Sequence, residues 1–134
     1  MSSSWKDFFR SIWPGTILII AVTILLCLPG KALPSRSWFD DIYLDKWVHL
    51  FLFAALVVLW SGPIISLKGA QKKIYSTALC TSLLAFFYGI LMEGVQHFWI
   101  PDRSFDLFDI VSDGAGCTIG FFVTVTWLAK HLGA

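Results

Sequence analysis

The stretch WVHLFLFAALVVLWSGPIISL, from Trp47 to Leu67, runs 21 residues without an Asp, Glu, Lys or Arg. At a helical rise of about 1.5 Å per residue it is long enough to cross the roughly 30 Å of hydrocarbon in a bilayer. Its middle, Leu50 to Trp60, is apolar at every position. A strand of a membrane barrel would turn polar at every second residue, so the barrel reading fails. A helix satisfies its own backbone hydrogen bonds in lipid and is the reading that remains.

Working outward, the same rule picks out three more segments. Ser11 to Gly30 and Ile74 to Met92 are also uncharged, and Ile110 to Ala129 is interrupted only by Asp113. The chain therefore reads as one all-α domain over residues 1–134, an integral-membrane four-helix bundle with spans over about 11–30, 47–67, 74–94 and 110–129. Composition agrees. Of 134 residues 57% are hydrophobic and 14% charged, with mean hydropathy +0.73, seven Trp and twelve Phe. So little polar surface cannot cover a water-soluble domain of this size, which excludes soluble enzymes and nucleic-acid binders. The apolar and aromatic content equally excludes a disordered chain.

Lys6 and Arg10 ahead of the first span resemble the start of a signal peptide, but no small-x-small cleavage site follows Leu28, and Leu26 before Cys27 does not fit a lipoprotein box. The segment is expected to be a retained helix. Cys27, Cys80 and Cys117 all fall within spans, without metal-type spacing, and read as buried apolar residues. Pro29, Gly30 and Pro34 break the helix in the stretch Leu28 to Trp38, which reads as a structured loop or a short re-entrant segment. Pro63 is expected to kink the second span and Pro101 to stop the third helix.

Orientation follows from the bases. Lys6, Arg10, Lys68, Lys72, Lys73 and Lys130 lie on one side of the four spans, and Lys31, Arg36, Lys46 and Arg103 on the other. The positive-inside rule puts the six on the cytoplasmic side, with both termini in. Asp7 is the one acid on that side, so it carries +5; the outer side, with four bases against eight acids, carries −4. The formal net charge of +1 is the sum of these opposed faces.

Three polar groups gather at the outer ends of the spans. Asp45, Lys46 and His49 open the second; Glu93, Gln96 and His97 end the third; Arg103, Asp106, Asp109 and Asp113 lead into the fourth. Spacings of three and four put Asp45 with His49, and Asp106 with Asp109 and Asp113, on single helical faces if each segment is continuous helix. An ionisable group inside a span is costly unless paired or wetted. One reading is a polar lock, in which Lys46 and Arg103 neutralise carboxylates and pin the helices. The other is a binding or catalytic pocket of Asp45, Lys46, His49, Glu93, Gln96, Arg103, Asp106, Asp109 and Asp113. Surplus carboxylates there would take up protons, a cation or a cationic ligand.

His49 beside Asp45 has the form of a carboxylate-oriented histidine, a general base or metal ligand. His97, next to Phe98 and Trp99, reads as interfacial, and His131 as solvated or among head groups. Asp40 and Asp41 read as an exposed loop pair, and Lys68, Lys72 and Lys73 as a topology determinant on anionic lipid. Gly116-x-x-x-Gly120 in the last span signals close helix packing.

The ordered set Asp45-Lys46-x-x-His49, Glu93-x-x-Gln96, Arg103-x-x-Asp106-x-x-Asp109 and Gly116-x-x-x-Gly120 resembles the VanZ-like family of small bacterial membrane proteins. The resemblance covers roughly Asp45 to Gly120, in order, spacing and placement against the spans. Asp113 stands where the family pattern commonly has Asn, and Gly114 beside it is also unlike the usual residue. The family takes its name from an accessory protein of glycopeptide-resistance clusters, associated with teicoplanin resistance without reworking of the peptidoglycan precursor termini. The resemblance implies a multi-pass protein of the bacterial cytoplasmic membrane, related to the cell envelope.

Two functions follow as expectations. In the first, the outer acidic pocket binds an envelope amphiphile such as a lipid-linked precursor or a lipophilic glycopeptide, with Arg103 or Lys46 on its anionic groups and the carboxylates on its amines. In the second, the protein is a membrane-embedded hydrolase or transferase acting on a lipid-linked substrate. Its His49 and Glu93 would serve as base and acid, or Asp45, His49, Glu93, Asp106 and Asp109 would hold a divalent metal, Zn²⁺, Mn²⁺ or Fe²⁺ suiting the mixed ligands best. A cation-coupled transporter would need several copies, a homo-oligomer. The lipid bilayer is a partner in every case.

Overall fold

The computed structural model describes residues 4–32, 43–67 and 73–132, and every described element is helical. The expectations placed on Pro34, Arg36, Asp40, Asp41, Lys68 and Lys72 lie outside these residues. In chain order the helices are α1 (Ser4–Arg10), α2 (Trp13–Leu26), α3 (Leu44–Ile65), α4 (Ile74–Trp99) and α5 (Leu107–Leu132), with a 3₁₀ turn at Gly30–Ala32. Three of them, α3, α4 and α5, are long and apolar enough to cross a membrane.

The first expected span comes out differently. Instead of a helix over 11–30, α2 is 14 residues, about 21 Å at 1.5 Å per residue, preceded by α1 at a 60° bend. The break has local causes. Pro14 sits in the first turn of α2, where its missing N–H is harmless, and the Ser11 hydroxyl accepts from the Trp13 N–H at 3.3 Å. At the other end, Pro29 and Gly30 end the helical run, and Leu26 is its last residue.

The other helices overrun or shift the expected bounds for equally local reasons. Pro63 lies inside α3, which ends two residues later at Ile65. Helix α4 continues past Glu93 to Trp99 and stops just before Pro101, as the proline predicts. Asp106 is not on the helical stripe expected of it: extended (φ −126°, ψ 107°), it caps α5 by accepting from the Phe108 N–H at 2.8 Å. Near its far end α5 loosens into a π-helical stretch, Thr124–Leu128.

Helix α3 is the centre, touching all four others. Its closest neighbour is α5, and the cause is the glycine pair. Gly116 lies against the Leu50 carbonyl, and a Cβ on Gly120 would stand 2.7 Å from Val57 Cβ and 2.8 Å from the Ala54 carbonyl. Backbones can approach this closely only where a side chain is missing. Around that contact pack Phe53, Val57 and Cys117, with Val22, Leu26, Leu56 and Met92 joining α2 to α3 and α4. Ile65, Leu128 and Leu132 close the end where α1 lies, with Trp5 and Phe9 against them. Outward faces stay apolar: Ile17, Ile24, Leu84, Phe87, Leu91 and Phe122 are exposed. A soluble protein would not present such a surface, and a bilayer requires it.

Two of the three cysteines depart from expectation here. Cys117 is buried, whereas Cys80 is exposed on α4 and Cys27 is half-buried past the end of α2. His131 is partly exposed; its Nδ1 lies 2.7 Å from the Trp127 carbonyl and its ring packs on Trp127 and Trp5. Its position one turn after Trp127 forces that contact.

Candidate functional site

At the end where α3 begins, the polar residues of three helices converge. Lys46 and His49, three apart, share the face of α3 turned to α5, and Asp109 and Asp113, four apart, share the facing stripe of α5. The Lys46 ammonium reaches three carboxylates at once: Asp106 Oδ2 at 2.5 Å, Asp109 Oδ1 at 2.6 Å and Asp45 Oδ2 at 2.7 Å. Its three N–H bonds match three acceptors. The acids grade inward, from Asp45 at 60% side-chain exposure through Asp106 at 37% to Asp109 at 10%. The cluster thus has an acidic outer edge. Lys46 holds the Asp106 carboxyl below the ordinary carboxylate range by hydrogen bonding to it, and the Phe108 N–H adds to the effect.

Beneath Lys46 lies a second pair. His49 Nδ1 is 2.8 Å from Asp113 Oδ1, both side chains buried, and the other ring nitrogen is 4.0 Å from Asp109 Oδ1. The imidazole stacks parallel on Phe53, 6.3 Å between centroids. Asp113 therefore replaces Asp45 as the carboxylate that orients His49. Asp45 is four residues from His49 but on the outer shoulder of the helix, turned to Lys46. Room for Asp113 comes from Gly89 of α4, where a Cβ would meet the Asp113 carboxylate. Gly89 is a position beside the cluster that sequence reasoning missed, and its one signal was a glycine inside a long helical run.

Glu93 is buried and accepts a hydrogen bond from the Asp106 backbone N–H. With Asp106 and Asp109 it stands at the N-terminus of α5, where free N–H groups and the helix dipole favour negative charge. The helix terminus thus does part of the work that counting bases alone assigns to a missing cation.

Gln96 and Arg103 have other partners than the expected pocket. The buried Gln96 amide donates to the Leu26 carbonyl at 2.8 Å, and Arg103 Nε donates to the Leu28 carbonyl at 3.3 Å. The Leu26 carbonyl is one that the end of α2 leaves without a helical partner, and Leu28 follows it two residues past that end. A backbone bond from Gly30 to the Pro101 carbonyl, 3.2 Å, and a Lys31–Asp102 ion pair, 3.5 Å, tie the same two segments. Gln96 and Arg103 are therefore anchors of α2. His97 stays at the surface, edge-on to Phe98 and Phe105.

The expected five-residue metal set is not assembled as such. Asp45, Asp106 and Asp109 bring ligand oxygens within 4.8 Å of one another, but His49 is paired with Asp113 and Glu93 with a backbone N–H. The oxygen triad suits a hard divalent cation, and the Lys46 ammonium already lies among those oxygens. A metal would have to displace it.

Away from the cluster lie two apolar hollows: a cleft of about 500 Å³ between α4 and α5, lined by Leu79, Phe86 and Phe121 among others, and one of about 200 Å³ between α2, α3 and α4. No family model, no curated protein and no solved structure matches the chain.

Proposed function

We propose that the chain is a VanZ-like protein of the bacterial cytoplasmic membrane, a four-helix bundle in which α1 and α2 together form the first of four spans and both termini face the cytoplasm. Its polar end faces outward and binds the amine of an envelope amphiphile, a lipid-linked precursor or a lipophilic glycopeptide. The observation that carries this reading is the ring of Asp45, Asp106 and Asp109 around Lys46. Three carboxylates on one ammonium leave a negative rim, open at Asp45 and Asp106, where a ligand amine exchanges with or joins Lys46. The motif order, the acidic outer loops and the basic opposite face support the same orientation.

Expression in a susceptible bacterium tests it. Teicoplanin tolerance should rise with the wild-type chain and fall back with Asp106→Asn. Unchanged sensitivity removes the antibiotic part, and direct titration of the purified protein with glycopeptide and lipid-linked precursor then decides whether either amphiphile binds at all.

A second reading rests on His49 and Asp113. A buried carboxylate on one imidazole nitrogen leaves the other nitrogen, near Asp109, as a general base, with Glu93 as the acid. The protein would then be a membrane-embedded hydrolase or transferase acting on a lipid-linked substrate, with a divalent ion in the Asp45, Asp106 and Asp109 triad if Lys46 withdraws. Turnover of a lipid-linked pyrophosphate or ester that His49→Ala abolishes would establish it. Equal Tm with and without chelator, together with no stoichiometric metal, would remove the metal version.

A further inference from the structure

Helix α1 leaves α2 at a 60° bend. Its seven residues are about 10 Å long, and at that angle they advance only about 5 Å along the direction of α2. The helix therefore lies more across the end of the bundle than through it. Packing fixes its place there. The Phe9 carbonyl rests on Gly62 of α3, where a Cβ would collide with it. The Trp5 indole is tilted against Trp127, 5.8 Å between centroids, and meets the His131 ring edge-on at 5.9 Å.

Helix α1 is amphipathic. At about 100° per residue, Trp5, Phe8 and Phe9 share one arc and Lys6, Asp7 and Arg10 the opposite one. Trp5 and Phe9 turn into the bundle, while Phe8 stays exposed, as do Ile12 and Trp13 after it. Trp13 heads the exposed stripe Ile17, Ile20 and Ile24 of α2, so this apolar surface runs on into the face turned to lipid. The charged arc has company. The Lys6 ammonium lies 5.6 Å from the centre of the Trp5 ring, on the indole that His131 also meets, and Lys130 precedes His131. Lys73 caps α4 beside Ile74, which packs on the same core of Ile65, Leu128 and Leu132. Among the described residues Asp7 is the single acid at this end, and none of Lys6, Arg10, Lys73 and Lys130 forms an ion pair. Cations without counter-charges, next to aromatic side chains at the edge of the lipid-facing surface, complement a layer of anionic headgroups. An acidic protein would leave the adjoining Phe8, Ile12 and Trp13 without an apolar partner.

We propose that α1 is a surface-lying helix that docks on the headgroups of anionic glycerophospholipids, whose phosphates are the counter-charges of Lys6, Arg10 and Lys130 while Phe8, Ile12 and Trp13 enter the acyl boundary. The lipid then holds from outside the bend that Trp5 and Phe9 hold from within. The inference needs the bilayer alone. It is independent of which side of the membrane this end faces and of any function assigned to the polar cluster at the other end.

The test places the full chain in nanodiscs of phosphatidylcholine, with and without phosphatidylglycerol, and reads amide exchange over residues 4–12. Phosphatidylglycerol should slow exchange there about tenfold or more while α3 is unchanged, since each base near an anionic surface is worth about fivefold in binding. Salt at about 1 M, where the screening length falls to about 3 Å, should remove the difference. Lys6→Gln and Arg10→Gln should each give back about fivefold of the slowing. With Lys130→Gln added to both, the chain should exchange in phosphatidylglycerol as wild type does in phosphatidylcholine. Equal exchange of wild type in the two lipids overturns the proposal, and needs no variant to fold. So does slowing that persists in the triple variant or in high salt. Slowing by inorganic phosphate in phosphatidylcholine alone would mean a site for free anions and would overturn it as well.

Discussion

His49 on α3 and Asp113 on α5 meet through a 2.8 Å bond between two buried side chains. The pair ties together the two helices that Gly116 and Gly120 bring into contact, and it sits directly beneath the Lys46 cluster. A conservative change at one partner should therefore act differently from a truncation. Asp113→Asn keeps an acceptor for His49 and should lower stability by about 1 kcal/mol, whereas Asp113→Ala strands a buried imidazole and should lose about 2–3 kcal/mol. In a double-mutant cycle with His49→Ala, the coupling energy should be about 1 kcal/mol or more. Equilibrium unfolding in mixed micelles measures all three values, and a coupling near zero would dissolve the pair.

Lys46 has a larger burden. Lys46→Met leaves Asp45, Asp106 and Asp109 facing one another without a cation, which should destabilise the bundle by about 2–3 kcal/mol at neutral pH. The acid side separates the contribution of Asp106. Because Lys46 lowers the folded-state pKa of this carboxyl, the stabilisation is fully present above the unfolded value near 3.8 and is lost as pH falls through the lowered one. The gap between wild type and Asp106→Asn should thus be widest at neutral pH and shrink below about pH 4. Asp106 is partly open to solvent, so that gap is about 1 kcal/mol or less. A gap that widens with acid would contradict the assignment.

The apolar framework was legible because uncharged stretches of helical length have no alternative in lipid, and Trp47 to Leu67 alone fixed the class. The glycine pair and Pro101 were legible for the same reason: each acts through its own backbone. What could not be read was direction within a face. Asp45 and His49 share a helical spacing, yet a turn of the helix separates the shoulder from the buried side. Nothing local tells that Asp113, 64 residues from His49, is the partner. Gln96 and Arg103 were misplaced because their partners are backbone carbonyls at the end of another helix, and carbonyls leave no mark in a sequence.

Those carbonyls give a prediction for dynamics. Gln96→Ala frees the Leu26 carbonyl and should loosen the junction between α2 and the turn at Gly30–Ala32. Amide exchange should speed up by about tenfold over residues 24–32 while α3 and α5 keep their protection, since losing one buried bond raises local opening without melting the bundle. Arg103→Ala should act on the same peptides more weakly, its bond to Leu28 being longer at 3.3 Å. Uniform deprotection of all helices would mean that Gln96 supports the bundle globally.

The glycines supply a paired test in which the same substitution has opposite signs. At Gly120 an added methyl would stand 2.7 Å from Val57 Cβ and 2.8 Å from a backbone carbonyl, neither of which is the end of a flexible side chain. Helices α3 and α5 must then separate, and Gly120→Ala should lose about 1–3 kcal/mol. Separation would also stretch the bonds from Lys46 to Asp109 and from His49 to Asp113, because both bridge the same two helices. At Gly94, inside α4, an added methyl meets nothing within 4 Å. Gly94→Ala should therefore gain about 0.5–1 kcal/mol from reduced backbone freedom alone. Thermal unfolding of the two variants side by side checks the contact between α3 and α5, and a neutral Gly120→Ala would mean that the helices do not approach there.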